Sequence, residues 1–176
     1  TDFIDNFYND GYHIFKNVFN EENCINLKDY LENNIKPKVY IPYSNSPWGY
    51  GNLIDDPKFQ IIIENKTIIN FCNLLLGEKR KFNHMMVNNK SSWIGPDVEW
   101  HQEAFNINTY APGNSEKDWK KFSQIFIPLD DQSSGNGGLK IIPKSHLEGI
   151  LPYEDFISPN LTHKRRVKTK DLKRLE

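Results

Sequence analysis

Apolar residues recur with one period in the first part of the chain and with another after about residue 80. In the first part they lie three or four positions apart, which is typical of helices with one buried face. The clearest such series follows Asn20 and consists of Cys24, Leu27, Leu31 and Ile35. Because Asn is a preferred N-cap residue, we expect a helix to begin directly after Asn20.

The opening residues predict a short helix and then a strand. Apolar positions from Phe3 have helical spacing, and Gly11 interrupts them. The residues between Gly11 and Phe19 are rich in aromatic and β-branched side chains, which is typical of a strand.

A further helix is predicted to start at Pro57, which follows Asp56. Proline is favoured at the first position of a helix, where its missing N–H is not needed. Apolar residues continue as far as Leu76, and Gly77 then provides a typical helix stop.

Beyond residue 80 the pattern becomes that of short strands separated by Gly- and Pro-rich turns. The predicted strands are Lys81–Val87, Val98–Phe105, Phe122–Leu129 and Leu139–Ile142. Helices followed by consecutive strands predict an α+β, mainly β fold with an antiparallel sheet or barrel.

Composition narrows the class of protein. The chain has 176 residues, of which 38% are hydrophobic, and no apolar run reaches the ~20 residues of a membrane helix. Its net charge is −1, and its basic excess is confined to the terminal segment, so we expect neither a membrane nor a nucleic-acid partner. The first 20 residues lack a signal-peptide pattern, and we expect a soluble, cytoplasmic protein.

The sharpest local pattern is Trp100-His101-Gln102-Glu103. In a strand, His101 and Glu103 would share one face, where an imidazole nitrogen and a carboxylate oxygen can bind one divalent metal. Such a pair is two-thirds of the two-His, one-carboxylate triad of non-haem iron oxygenases. The pair alone is a weak signal, since an exposed His–Glu pair without metal has the same pattern.

Other segments surround this pattern in a recognisable order. Asp10-Gly11-Tyr12 and Asn17-Val18-Phe19 precede it, and Gln124–Asp131 and Asn136–His146 follow it. Together they resemble the phytanoyl-CoA dioxygenase family, whose members show D-G-Y, then W-H-Q-D, a strand ending in L-D-D, and N-G-x-L before P-G-S-H. The resemblance covers residues 3–150.

The resemblance implies a double-stranded β-helix, a jelly-roll barrel with the N-terminal helices packed outside. It implies Fe(II) and 2-oxoglutarate as cofactors, O₂ as co-reactant, and His101 and Glu103 as iron ligands. It places Gln124 and Phe126 near the cosubstrate, although plain sheet packing explains them equally well. The carboxylate at Glu103 favours hydroxylation over halogenation, and we expect a small-molecule substrate.

The chain departs from the family pattern at two points. Glu103 stands where the family usually has Asp, so either its longer side chain must fold back or the metal must shift for the two to meet. The distal iron-binding His and the Arg that pairs with 2-oxoglutarate are not found after the last block. His146 is a weak candidate for the third ligand, and a turn or supporting role is the alternative. His163 lacks the strand expected of a distal ligand.

These departures suggest that the barrel lacks its late strands. We therefore expect a domain over residues 1–160, a basic terminal segment over 161–176, and a chain that is part of a longer protein. A jelly roll has about eight strands, so four would leave an open apolar face prone to self-association. The alternative to an active dioxygenase is a catalytically incomplete fragment or a non-catalytic binding relative.

Overall fold

The computed structural model describes residues 2–40, 47–94, 98–156 and 165–175. By its internal contacts the chain divides into two units. The first unit comprises residues 1–13, 96–122 and 141–176, and the second comprises residues 14–95 and 123–140. The domain over residues 1–160 and the basic terminal segment over 161–176 stay predictions.

The described ranges contain short helices and very little sheet. The α-helices are α1 (Asp2–Asp10), α2 (Glu21–Asn34), α3 (Gln60–Ile63), α4 (Lys66–Leu76), α5 (Ile107–Tyr110) and α6 (Thr169–Leu175). Short 3-10 helices span Pro57–Phe59, Glu103–Asn106, Glu116–Lys121 and Ser145–Glu148. Over the described part of the chain, no helix combines the length and the apolar character needed to cross a membrane.

The opening helix is confirmed, but the strand predicted after it is wrong. Helix α1 ends at Asp10, and Gly11 has a φ of 85°, a left-handed conformation that glycine adopts without strain. Residues 12–19 form no strand. Asn17 has a φ of 59°, which takes the backbone out of the extended region in the middle of the predicted strand.

Helix α2 begins where the sequence predicts. The Asn20 side chain accepts a hydrogen bond from the Asn23 N–H at 2.8 Å, and the Asn23 side chain accepts one from the Asn20 N–H at 3.4 Å. This reciprocal capping box satisfies two N–H groups at the start of the helix. Leu27 and Leu31 are buried, as the apolar spacing predicts.

The helix predicted from Pro57 to Leu76 is divided into three pieces. The Asp56 carboxylate caps the first piece by accepting from the Lys58 N–H at 2.9 Å. The chain then leaves the helix at Asn65, whose side chain caps α4 by accepting from the Thr67 and Ile68 N–H groups. Asn competes with the helical backbone for hydrogen bonds, which explains the interruption. The predicted stop at Gly77 is confirmed, with a φ of 82°.

The second unit has an apolar core built on these helices. Its buried members are Leu27, Leu31, Tyr50, Leu53, Phe59, Ile62, Ile68 and Cys72. Phe59 is the most deeply buried, at 1% exposure. Burying an aliphatic or Phe side chain of this kind stabilises a fold by about 1.5–3 kcal/mol relative to exposure.

The described residues form two small antiparallel sheets and no closed barrel. Strand β1 (Val39–Tyr40) pairs with β2 (Pro47–Gly49), and β3 (Tyr153–Asp155) pairs with β4 (Arg165–Val167). The four strands predicted after residue 80 are wrong as regular strands in the described ranges. Their alternating pattern favours extended backbone, but a strand also needs a partner in register, which a local pattern does not specify.

The predicted strand Lys81–Val87 has extended backbone contacts in part, although it is not a regular strand. The residues before Asn88 run beside residues 49–53, where the Leu53 N–H donates to the Met85 carbonyl at 2.8 Å and the Tyr50 N–H to the Val87 carbonyl at 3.1 Å. Only an isolated bridge, between Gly49 and Asn88, joins them as sheet. The run is therefore extended without being a strand.

The first unit has a smaller core, and the basic terminal segment contributes to it. Phe105, Leu151 and Val167 are buried together, and Leu172 and Leu175 of α6 pack against them. The described part of residues 161–176 is thus integrated into the first unit.

Candidate functional site

The segment that carries His101 and Glu103 lies beside strand β4. The Val167 N–H donates to the Trp100 carbonyl at 2.8 Å. Gln102 is extended, with φ −104° and ψ 135°, and the 3-10 helix Glu103–Asn106 starts directly after it. The prediction of one strand through residue 103 is therefore wrong, since Glu103 is the first residue of a helical turn.

The two side chains nevertheless meet. His101 Nε2 lies 3.1 Å from Glu103 Oε1, and His101 Nδ1 lies 2.7 Å from the Glu99 carbonyl oxygen. The His101 side chain is 16% exposed and that of Glu103 is 40% exposed. The pair is therefore partly buried, with Glu103 the more exposed of the two side chains.

Hydrogen bonding decides the protonation of His101. Burial lowers the pKa of His101, but the hydrogen bonds to Glu103 and to the Glu99 carbonyl outweigh burial and raise the pKa above its ordinary value of 6.5. Because a carbonyl can only accept, Nδ1 carries the proton at the Glu99 side. Loss of the other proton leaves the Nε2 lone pair aimed at the space shared with Glu103, which is the form that binds metals.

Tyr110 is a neighbour of this pair that the sequence did not indicate. It ends helix α5, and burial together with the negative charge of Glu103 raises the pKa of its hydroxyl. It lies seven residues after Glu103, about two helical turns, but two different helical types intervene. A single-period pattern gives no signal for this electrostatic influence of Glu103 on Tyr110.

Neighbouring contacts fasten the segment to the rest of the first unit. The Gln102 side chain bonds to the backbone of Gly149 and Leu151, and Arg165 Nη1 donates to the Phe105 carbonyl at 2.9 Å. The two potential ligands therefore stand on backbone that is fixed on both sides.

The residues present fit part of an iron site. An imidazole nitrogen and a carboxylate oxygen 3.1 Å apart are the right donors for two positions of a facial triad. Among the described residues, no group of three His, Cys, Asp or Glu side chains could share a metal ion. The third ligand is therefore not supplied within those ranges.

His146 lies beside the end of helix α1. His146 Nε2 donates to the Tyr8 carbonyl at 2.8 Å. His146 Nδ1 is buried and has no hydrogen-bond partner among the described residues. A role of His146 as third ligand, or as a turn or supporting residue, stays a prediction. His163 lies outside the described residues.

Gln124 and Phe126 lie in the second unit, whereas His101 and Glu103 lie in the first. Both are exposed, Phe126 at 56%. Residues 123–128 are not part of a strand, so the predicted face of that strand is not formed there. A place beside the cosubstrate stays a prediction for both residues.

Comparison with known proteins gives one match. The model of the phytanoyl-CoA dioxygenase (PhyH) family matches residues 7–172, which is nearly the whole chain. No curated protein and no solved structure matches the chain.

Proposed function

Because the chain belongs to the phytanoyl-CoA dioxygenase family, we propose that it is an Fe(II)- and 2-oxoglutarate-dependent dioxygenase that hydroxylates a small metabolite. His101 and Glu103 are two of its iron ligands in this proposal. The observation that carries the assignment is the 3.1 Å approach of His101 Nε2 and Glu103 Oε1. The family's cupin-like fold and a cytoplasmic location belong to the same proposal.

The contribution of each residue follows from its contacts. The Glu99 carbonyl holds the Nδ1 proton, which orients the ring and leaves Nε2 as the metal-binding atom. Glu103 supplies negative charge, and its extra methylene relative to Asp is accommodated because its carboxylate folds back to Nε2. When bound, iron would supply the centre at which O₂ and 2-oxoglutarate react with a substrate.

Titration of the metal-free protein with Co(II), an inert substitute for Fe(II), tests the ligand assignment. We expect His101→Ala and Glu103→Ala to lose most of the affinity of the wild-type protein, since each removes one of two donors. His84→Ala is the matched control, because it removes an imidazole that is not a ligand in this proposal and should leave the affinity unchanged. Wild-type affinity in both site variants would refute the assignment.

A second candidate is a non-catalytic relative that binds metal or a small molecule. It is favoured by the lack of a third ligand among the described residues. Conversion of 2-oxoglutarate to succinate separates the two candidates. Fe(II)-dependent succinate release that is lost in His101→Ala supports the dioxygenase. Co(II) binding at the pair with no release at any Fe(II) concentration supports the binding relative.

A further inference from the structure

Gln102 lies between the two proposed ligands and uses both ends of its amide. Its Nε2 donates to the Gly149 carbonyl at 2.9 Å, and its Oε1 accepts from the Leu151 N–H at 2.8 Å. These partners lie 47 and 49 residues further along the chain. One side chain therefore joins the segment around residue 102 to the segment of residues 149–151 through two short hydrogen bonds.

The orientation of Gln102 follows from its backbone. Side chains alternate between opposite faces along extended backbone, and Gln102 is extended. His101 and Glu103 meet each other beside the segment, whereas the Gln102 amide bonds to Gly149 and Leu151. Any rotation of the segment about its axis would break both hydrogen bonds of the Gln102 side chain and move the His101 and Glu103 side chains.

The backbone to which Gln102 bonds is itself held in place. Leu151 is 4% exposed and packs with Phe105 and Val167 in the core of the first unit. Gly149 has a φ of 69°, which suits glycine and brings its carbonyl into the turn after the 3-10 helix Ser145–Glu148. The amide is thus anchored to a packed segment.

Two other hydrogen bonds hold the segment at Trp100 and at Phe105, and neither acts at Gln102 itself. Val167 holds the Trp100 carbonyl and Arg165 holds the Phe105 carbonyl, so the segment is fixed before and after the pair. Gln102 is the side chain that fixes the segment at the residue between His101 and Glu103.

We propose that Gln102 is a positioning residue that holds His101 and Glu103 in the geometry needed to bind one metal ion, by bridging the backbone of Gly149 and Leu151. The proposal rests on the proposed function for the metal, but the positioning itself is a property of the metal-free protein. Supporting groups of this kind commonly change metal affinity by 10- to 100-fold.

The test uses Gln102→Met, which keeps the length of the side chain and removes both hydrogen bonds. In metal-free protein, the NOE between the His101 ring protons and the Glu103 γ-methylene protons should fall to half or less, and the Leu151 amide should exchange faster. Glu154→Gln is the matched control, because it removes the negative charge of an ion pair with Arg166, joined at 2.8 Å in the same unit. It should leave that NOE unchanged.

The second measurement is Co(II) affinity, which should fall by roughly tenfold in Gln102→Met and stay at the wild-type value in Glu154→Gln. Thermal melts establish that the variants compared are folded. If Gln102→Met does not fold, Gln102→Glu, which retains an acceptor for the Leu151 N–H, is assessed by the same NOE.

An unchanged NOE in a folded variant would overturn the positioning role. Wild-type protein that fails to bind Co(II) would instead refute the proposed function, and the NOE would still decide the role of Gln102. The two proposals therefore fail by different results.

Discussion

His101 is the residue whose surroundings say most about the site. Both of its ring nitrogens face oxygen atoms, one of a carbonyl and one of a carboxylate. Both interactions favour the protonated ring, so the two side chains form a hydrogen-bonded ion pair just below the pKa of His101. In the proposed site, a metal ion at Nε2 would displace that proton, and metal affinity would be coupled to pH through this atom.

Replacing Glu103 by Gln should lower the pKa of His101. The substitution removes the negative charge that raises this pKa and weakens the hydrogen bond at Nε2, while burial, which lowers the pKa, remains. Because the folded-state pKa is raised, the pair stabilises the fold fully below the unfolded pKa, and this contribution is lost as pH rises through the folded pKa.

NMR titration of the His101 ring in chelator-treated protein measures this change. Glu116→Gln, which alters a carboxylate on a different 3-10 helix, is the control and should leave the titration of His101 in place. A pKa of His101 that is the same in Glu103→Gln as in wild type would show that the 3.1 Å contact does not persist in solution.

At the same scale, the sequence predicted that the His101 and Glu103 side chains meet, but not which residues support them. A spacing of two residues is enough to predict that two side chains meet in extended backbone. The bond of Gln102 to Leu151 depends on a segment 49 residues away, and the sequence contains no local sign of it.

Among the elements, helix α2 depends on its first cap. Asn20→Ala removes the acceptor for the Asn23 N–H and should lower the free energy of unfolding by about 1 kcal/mol. Asn26→Ala is a matched control, since Asn26 is exposed inside the same helix and Ala is the better helix former there. Urea denaturation measures both, and equal stability of the two variants would contradict the capping role.

The 3-10 helix Glu116–Lys121 carries a second testable contact. Asp118 accepts from Lys121 Nζ at 2.6 Å and from the Ser115 N–H at 2.9 Å, and these bonds lower the pKa of Asp118 to about 2. Its contribution to stability is therefore present above the ordinary value of 3.8 and is lost as pH falls towards 2.

Lys121→Met should raise the pKa of Asp118, although not fully to 3.8, because the bonds from Ser115 remain. The control is Lys120→Met, since Lys120 lies over the Trp119 ring instead. Carbon-13 NMR of the carboxyl group provides the measurement. The same increase in both variants would argue for a general charge effect in place of the specific bond.

Prediction at the scale of elements succeeded where the signal is local. Asn20, Asp56, Gly11 and Gly77 each act on backbone within a few residues, and each lies at a helix end as expected. The predicted strands failed because their partners are distant, as the single bridge from Gly49 to Asn88 shows. The short strands that do form, such as β3 and β4, carry no strong alternation.

For the molecule as a whole, the first unit depends on a close approach at Gly11. The Lys144 N–H donates to the Asp10 carbonyl at 2.9 Å, and the His146 ring lies so near Gly11 that a Cβ there would overlap it. Three parts of the chain build this unit, and the contact joins the first part to the last. Self-association through apolar surface stays a prediction.

Gly11→Ala should therefore destabilise the protein more than Gly113→Ala. Both residues have a positive φ, for which Ala costs about 1–2 kcal/mol. Only Gly11 adds an overlap, because a Cβ at Gly113 meets no described atom within 4 Å. Thermal or urea unfolding compares the two variants, and equal losses would show that the His146 ring moves aside at little cost.

The contact between α1 and His146 also bears on how the protein is made. Tyr8 and His146 are 138 positions apart, so at ~5–20 residues per second the ribosome delivers the partner of α1 on the order of ten seconds later. A helix of nine residues is only marginally stable in isolation, so α1 is not stabilised until its partner has been synthesised. All of the second unit, residues 14–95 and 123–140, is synthesised during that interval. The nascent chain is therefore expected to complete its second unit first, with the earliest helix among the last parts to be stabilised.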